Sequence, residues 1–520
     1  MKNLKYIILA IFSLTIASSC SNFEELNTDP NAPASVSPDM LATQVLKNTY
    51  RFWNPNPTDF GTSNLWCKHT AMLETNPNPY QYYYSYYPFG GFGSYKNLTD
   101  LKRMVEFAEG SGDPILANSY KGLALYLKAY YGYSMTMDMG DIPYSEAGMA
   151  EEGITRPKYD KQADVFVSIL KDLQAAEAFF ATGKKFGGDI MYGGDNIKWQ
   201  RLCNAMQLKV IQTISKKATA EQKARFAAIV TANKLMVGNA DNFQLVYTDN
   251  PNATHPFWNG ENRRIYIGVS KLVVDELKKV NDRRLFIFAE PARYLTVSTF
   301  NDGVGNGTGT KQENDFDAYE GAPTELSADA LAVNRSAGKY SFINKRYKDI
   351  KAGDPMIHFS YAEQCFIIAE AIEEGWVAGV AKDYYENGVK AMLHYFRTLP
   401  SAATGNHGMA ITQAYIDGYF TGNAAYAVTK TDRLRQIWVQ RWLIDFFQGN
   451  GLNYKNFLRT GYPLFPLDPA TSMNPDDKAQ YPKRWKYPTD EQVSNPDNYN
   501  AAISALGGYD GINIVPWWLQ

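Results

Sequence analysis

The chain is poor in the residues that most often carry chemistry, with 4 cysteines and 5 histidines in 520 residues. His69, His255, His358, His394 and His407 are scattered, with no pair at ligand spacing and no carboxylate-rich helix beside them, which excludes the common helical zinc motifs. No nucleophile elbow, phosphate loop or dinucleotide fingerprint occurs. "GGFGSYK" at 90–96 has glycines but follows a tyrosine and proline run instead of a strand. An excess of one charge is also missing: 52 basic against 54 acidic residues gives a net charge of -2, so there is no polycationic face to neutralise phosphates and no case for a nucleic-acid partner. Nothing beyond residue 20 approaches the ~20 apolar residues of a membrane helix. A binding protein is the stronger class and an enzyme the weaker.

What is present begins with "MKNLKYIILAIFSLTIASSCSNFEELN". Lys2 and Lys5 precede an apolar run of about eleven residues, Tyr6 to Ile16, too short to span a bilayer permanently and followed by small residues. This is an export signal over 1–19; a buried first helix would need a polar face, which the run lacks. Cleavage before Cys20 leaves that cysteine as the amino terminus, the arrangement of bacterial lipoproteins, although "ASSC" departs from the commonest lipobox, which has Leu three residues earlier. Acyl chains on Cys20 would anchor a tether over 20–27, each buried methylene contributing about 0.8 kcal/mol. The remaining cysteines are three, so at least one lies outside any intramolecular disulfide. Cys203 and Cys365 fall on apolar faces at helical spacing and read as core residues; Cys67 is left open.

Amphipathic segments predict helices over 40–50, 96–109, 114–136, 160–181, 196–217, 220–234, 268–280, 359–376, 381–397, 410–418 and 429–448. Two pairs, 114–136 with 160–181 and 359–376 with 381–397, read as hairpins joined by short turns. Alanine and glycine mark close approach in them, as in tetratricopeptide-like packing. No linker divides residues 28–520. The expected fold is mainly α: tetratricopeptide-like hairpins in one large domain, with long irregular loops and few short strands. Stretches 51–95, 249–265, 290–340 and 460–500 are rich in Pro, Gly, Asn and Asp and read as loops, where a ligand site is more often placed.

"NTDPNAPASVSPDMLATQVL", "DMGDIPYSEA", "DIMYGGDNIKWQRLCNAMQLKVI", "QRWLIDFFQGN", "FLRTGYPLFP" and "YPKRWKYPTDEQVSNPDNYNAAISALGG" resemble, in order, signatures of the SusD/RagB lipoproteins of Bacteroidota. The resemblance covers essentially the whole mature chain. It implies a lipid-anchored protein of the outer-membrane cell surface that acts as the lid of a SusC-like TonB-dependent transporter and delivers nutrient to it. "SNFEE" after Cys20 suits surface export in these bacteria; the alternative is that Glu24 and Glu25 are only a solvated start to the domain.

Each block also has a local account. Gly140 and Pro143 end a helix, Asp195 is a good N-cap, and Trp199 packs in the first turn that follows. Arg433, Arg435 and Arg441 are expected to pair with core-edge carboxylates such as Asp445 instead of binding an anion. These signature residues read as scaffold.

Aromatic residues make up 14% of the chain and crowd in "NPYQYYYSYYPFGGF" at 78–92. Sugar rings present C–H faces on which aromatic side chains stack. The candidate platform is Tyr80, Tyr82, Tyr83, Tyr84, Tyr86 and Tyr87, with Trp53, Trp66 and Trp258. In the alternative, Tyr82, Tyr84 and Tyr86 form the buried face of an extended segment. A division between the two is expected, since a wholly exposed run would be a large apolar patch. Asp302 and Asn306 in "NDGVGNGTGT" have oxygens suited to calcium, but the spacing does not match a twelve-residue calcium loop, and a metal-free turn is expected. No catalytic residue, cofactor or metal is assigned. The expected ligand is a glycan. A peptide bound along a strand edge, as in RagB-like lids, is the alternative, and a surface glycoside hydrolase, which needs converging carboxylates, is a third reading.

Overall fold

In a computed structural model the described residues are 36–50, 63–84, 88–251, 253–259, 265–298, 307–399, 404–448 and 452–520. The fold is mainly helical. Its longer helices are α1 (Pro38–Tyr50), α2 (Asn97–Gly110), α3 (Pro114–Met139), α4 (Gln162–Thr182), α5 (Asn196–Thr213) and α6 (Ala220–Ala232), followed by α7 (Lys271–Lys279), α8 (Ala328–Ser336), α9 (Tyr361–Glu373), α10 (Ala381–Thr398), α11 (Lys430–Leu443), α12 (Leu452–Thr460) and α13 (Pro496–Ala505). Local chemistry sets many of their ends. Asp113 caps α3 by accepting from the Leu116 N–H with Pro114 in the first turn, and Gly140 ends it at φ 98°. Thr219 and Gln222 close a capping box on α6.

Consecutive helices pack as neighbours: α1 on α2, α2 on α3, α3 on α4, α4 on α5 and α9 on α10. Small residues allow the close approach. A Cβ on Gly122 of α3 would lie 3.0 Å from the Phe180 ring of α4, and one on Gly388 of α10 2.6 Å from the Phe366 ring of α9. The α9–α10 hairpin has the short connection expected. The α3–α4 pair does not: residues 140–161 run between them, and Ile142 pairs with Asp160 in a β-bridge that closes this excursion.

Two antiparallel pairs complete the frame. β1 (Thr70–Met72) pairs with β3 (Ile267–Val269), and β2 (Phe243–Leu245) with β4 (Met356–Phe359). The helix expected over 268–280 therefore starts only after β3, where the Ser270 hydroxyl accepts from Val273 N–H. The stretch 290–340 is not loop throughout: α8 begins behind a Ser327 cap. Likewise 410–418 supplies only the turn Gln413–Asp417, and 460–500 contains Glu491–Ser494 and the start of α13.

The core has two large clusters, one built on α1–α6 and the other on α7, α10, α11 and the segments around 283–289 and 447–465. α9 serves both, sending Ile367 and Ile368 into the first and Phe366 and Ala369 into the second. A buried ionic group crosses the same seam: Glu363 on α9 accepts from Lys209 of α5 (2.9 Å) and from Arg441 of α11 (3.1 Å). Cys67, Cys203 and Cys365 are all buried free thiols, which settles Cys67 as a core residue too.

Candidate functional site

The tyrosine run starts as one turn of 3₁₀ helix, Pro79–Tyr82. Asn78 caps it, its side-chain oxygen accepting from Tyr80 N–H at 3.1 Å, and Tyr83 leaves it at φ 61° while Tyr84 N–H closes on the Pro79 carbonyl at 3.0 Å. A turn does not alternate faces as a strand does. Adjacent Tyr82 and Tyr83 therefore both point inward, where an extended segment would have buried Tyr82 with Tyr84.

Tyr82 donates to the Leu326 carbonyl (2.7 Å) and Tyr83 to the Pro466 carbonyl (3.1 Å). Trp66 is buried against Tyr83, Tyr454 and Trp485 with ring centroids 5.1–5.9 Å apart. These three candidates pack as scaffold. Tyr80 and Tyr84 stay half-buried at the surface of the turn. Trp258 is half-buried on a separate turn, Pro256–Asn259, with the Lys351 ammonium 5.1 Å from its ring. Trp53, Tyr86, Tyr87, Cys20, Asp302 and Asn306 lie outside the described residues.

Polar groups beneath the turn were not singled out in the sequence. Gln81 accepts from Met72 N–H (2.6 Å) on the edge of β1 and donates to the Thr324 carbonyl (3.2 Å), which ties the turn to β1 and to the 322–326 segment. Lys68, itself at φ 56°, donates its ammonium to the Gln81 carbonyl and sets it 3.9 Å from the centre of the Tyr83 ring. Burial pulls the Lys68 pKa down to about 7, with the Glu325 charge opposing that fall. A small cleft opens here, walled by Lys68, Tyr82, Thr324, Glu325, Asp468 and Thr471. The only sequence signal for Lys68 was a lysine inside the apolar stretch "LWCKHTAML".

The signature blocks are structural. Asp189 accepts from four N–H groups, those of Met191 (2.9 Å), Tyr192 (3.1 Å), Gly194 (2.8 Å) and the Trp199 indole (2.8 Å), while Asp195 caps α5 as expected. The arginines do pair with carboxylates, but Asp445 is not the partner. Arg433 takes Glu373 (2.8 Å), Arg435 takes Asp432 (3.5 Å) and Arg441 takes Glu363. Burial and the Glu363 charge instead push the Asp445 carboxyl well above its ordinary range. Among the described residues no group of three His, Cys, Asp or Glu is placed to hold a metal, and no helix is long and apolar enough to cross a membrane.

A family model described as starch-binding, associating with the outer membrane, matches residues 30–488. Among solved structures, a SusD homologue from Bacteroides fragilis NCTC 9343 is 34% identical, with a TM-score of 0.84 over 93% of this chain and 100% of that one. A second SusD homologue from the same strain is 29% identical, with a TM-score of 0.77 over 94% and 100%. A chitin-binding protein is 26% identical, with a TM-score of 0.69 over 92% and 98%. Comparison with curated proteins finds no match. With the signature blocks in place, the helical frame shared and the family model spanning most of the sequence, the chain belongs to the SusD-like family of starch-binding proteins associating with the outer membrane.

Proposed function

We propose that this protein is a cell-surface lipoprotein, anchored through Cys20, that captures a glycan and passes it as a lid to a SusC-like TonB-dependent transporter. The observation that carries the ligand class is the turn at 79–84. It holds Tyr80 and Tyr84 half-buried at the surface, on a buried footing of Tyr82 and Tyr83 that itself lines a cleft with hydroxyl and carboxylate groups. Aromatic faces next to mixed donors and acceptors suit a polyol better than an apolar ligand or an ion.

Peptide capture by strand addition has less support. β3 is flanked on its second side by 341–343, where Val269 N–H donates to the Ser341 carbonyl and Ile343 N–H to the Ile267 carbonyl. β1 and β4 have N–H groups taken by side chains, Met72 by Gln81 and Ile357 by Gln448. Glu325 and Asp468 share a cleft, as a hydrolase would require, and release of reducing ends is the measurement that separates that reading from capture alone.

The test is calorimetric titration of the purified chain in detergent with malto-, cello-, xylo- and chito-hexasaccharides and with peptide pools, alongside Tyr80→Ala, Tyr84→Ala and Trp258→Ala. Glycan binding weakened in these variants supports the reading. Binding of peptides alone, or steady release of reducing ends, would replace it.

A further inference from the structure

The cleft beneath the tyrosine turn gathers three polar groups that the fold leaves short of partners. Lys68 is 1% exposed, and of its three N–H donors one reaches the Gln81 carbonyl. Thr324 is 2% exposed, and its hydroxyl has no hydrogen-bond partner. Glu325, half-buried beside it, acts on Lys68 and Tyr83 only through its charge, at distances beyond an ion pair or hydrogen bond. Asp468 and Thr471 close the opposite wall. The cleft forms a chamber of about 170 Å³, counted to its open mouth.

We propose that this chamber is the subsite for one hydroxyl group of the glycan, taking a hydrogen bond from Lys68 and from Thr324 and giving its own proton to Glu325. The proposal rests on the glycan reading above. A hydroxyl is the group whose donor and acceptor capacities match this set. A carboxylate would be repelled by Glu325 and Asp468, an ammonium by Lys68, and a methyl group would leave all three polar groups unpaired. A ligand oxygen that reproduces the hydrogen bonds of a displaced water enters such a site without losing affinity. A site built to pair with a substrate hydroxyl discriminates strongly against an analogue that lacks it. The chamber therefore sets which sugars fit, while the half-buried rings of Tyr80 and Tyr84 on the same turn are left for contact that every sugar shares.

The two roles separate in Thr324→Val. The change is nearly isosteric and removes a hydroxyl that the fold does not use, so the melting temperature should stay level or rise while affinity for the bound hexasaccharide falls roughly tenfold. Glu325→Gln, measured beside it, should lower affinity for the same sugar and leave the fold intact. Lys68 is left untouched because it also holds the turn. Titration of the four hexasaccharides into wild type and both variants decides the matter. If wild type binds a glycan and both variants bind it within about twofold, the subsite is wrong and the glycan reading stands. A lower melting temperature in Thr324→Val would also overturn the subsite, since the hydroxyl would then have a structural partner. If wild type binds none of the four, the glycan reading and the subsite fall together.

Discussion

Replacing Asp189 by alanine should be among the most damaging single changes outside the hydrophobic core. The side chain is 9% exposed and accepts four hydrogen bonds, three from the backbone of the 191–194 turn and one from the indole of Trp199, which is 0% exposed. A hydrogen bond to a charged acceptor contributes about 1.5–3 kcal/mol, but the four share one acceptor and some of the freed backbone will find water, so about 4 kcal/mol is a reasonable total. For a chain of this length the unfolding entropy is roughly 1 kcal/mol/K, so calorimetry should show the melting temperature about 4 °C lower. Asp189→Asn keeps the shape but turns an amide donor toward N–H groups, and should cost about half as much. The indole bond can be isolated by a cycle with Trp199→Phe, in which the two changes together should cost less than their sum. A melting temperature within about 1 °C of wild type for Asp189→Ala would refute the view that this carboxylate organises the turn.

Four further outcomes are expected. Trp66→Ala should destabilise the protein by about 3–5 kcal/mol in a denaturant titration without changing glycan selectivity, because the ring fills core and not a ligand face. Gly194→Ala should yield little folded protein on circular dichroism, since at φ 81° a new Cβ would lie 2.0 Å from the Phe186 carbonyl oxygen. Glu363→Gln should cost about 3–5 kcal/mol in the same titration, because it strands Lys209 and Arg441 as buried charges. Stability should also fall on acidification below about pH 6.5. Burial holds His69 and His255 neutral, with pKa values down at about 3 and about 4, so between those values and the unfolded value of about 6.5 the unfolded chain binds more protons than the folded one. At pH 5 each contributes about 2 kcal/mol of loss, and a melting temperature flat from pH 7 to pH 5 would contradict this.

Helical spacing made most of the frame readable, because an apolar face repeated over three or four turns has few other solutions, and caps such as Asp195 carry their own signal. α8 is harder to read although Ser327 offers a cap, because it is short and follows glycine-rich sequence that favours loop. The tyrosine run was less legible for a physical reason. A string of near-identical residues has no periodicity, so strand and 3₁₀ turn cannot be told apart until Asn78 is seen capping and Tyr83 is seen in the left-handed region. The cleft beneath it was the least legible part. Lys68, Thr324, Glu325 and Asp468 come from separate stretches of chain, and nothing local in any of them points to the others.

The long-range ties of this fold bear on when it can form. Trp442 donates its indole N–H to the Cys67 carbonyl (2.8 Å), and His69 Nε2–H donates to the Trp442 carbonyl (2.9 Å), joining positions 373–375 residues apart. Trp485 N–H likewise donates to the Asp138 carbonyl (2.7 Å), and the Arg484 guanidinium to that of Met139 (3.0 Å). The segment leading into β1 and the end of α3 therefore lack these partners until residues beyond 440 and 480 are available. Contacts of such sequence separation form only once the intervening chain has closed into a loop, so this fold should form later and more slowly than a bundle held by neighbouring helices alone.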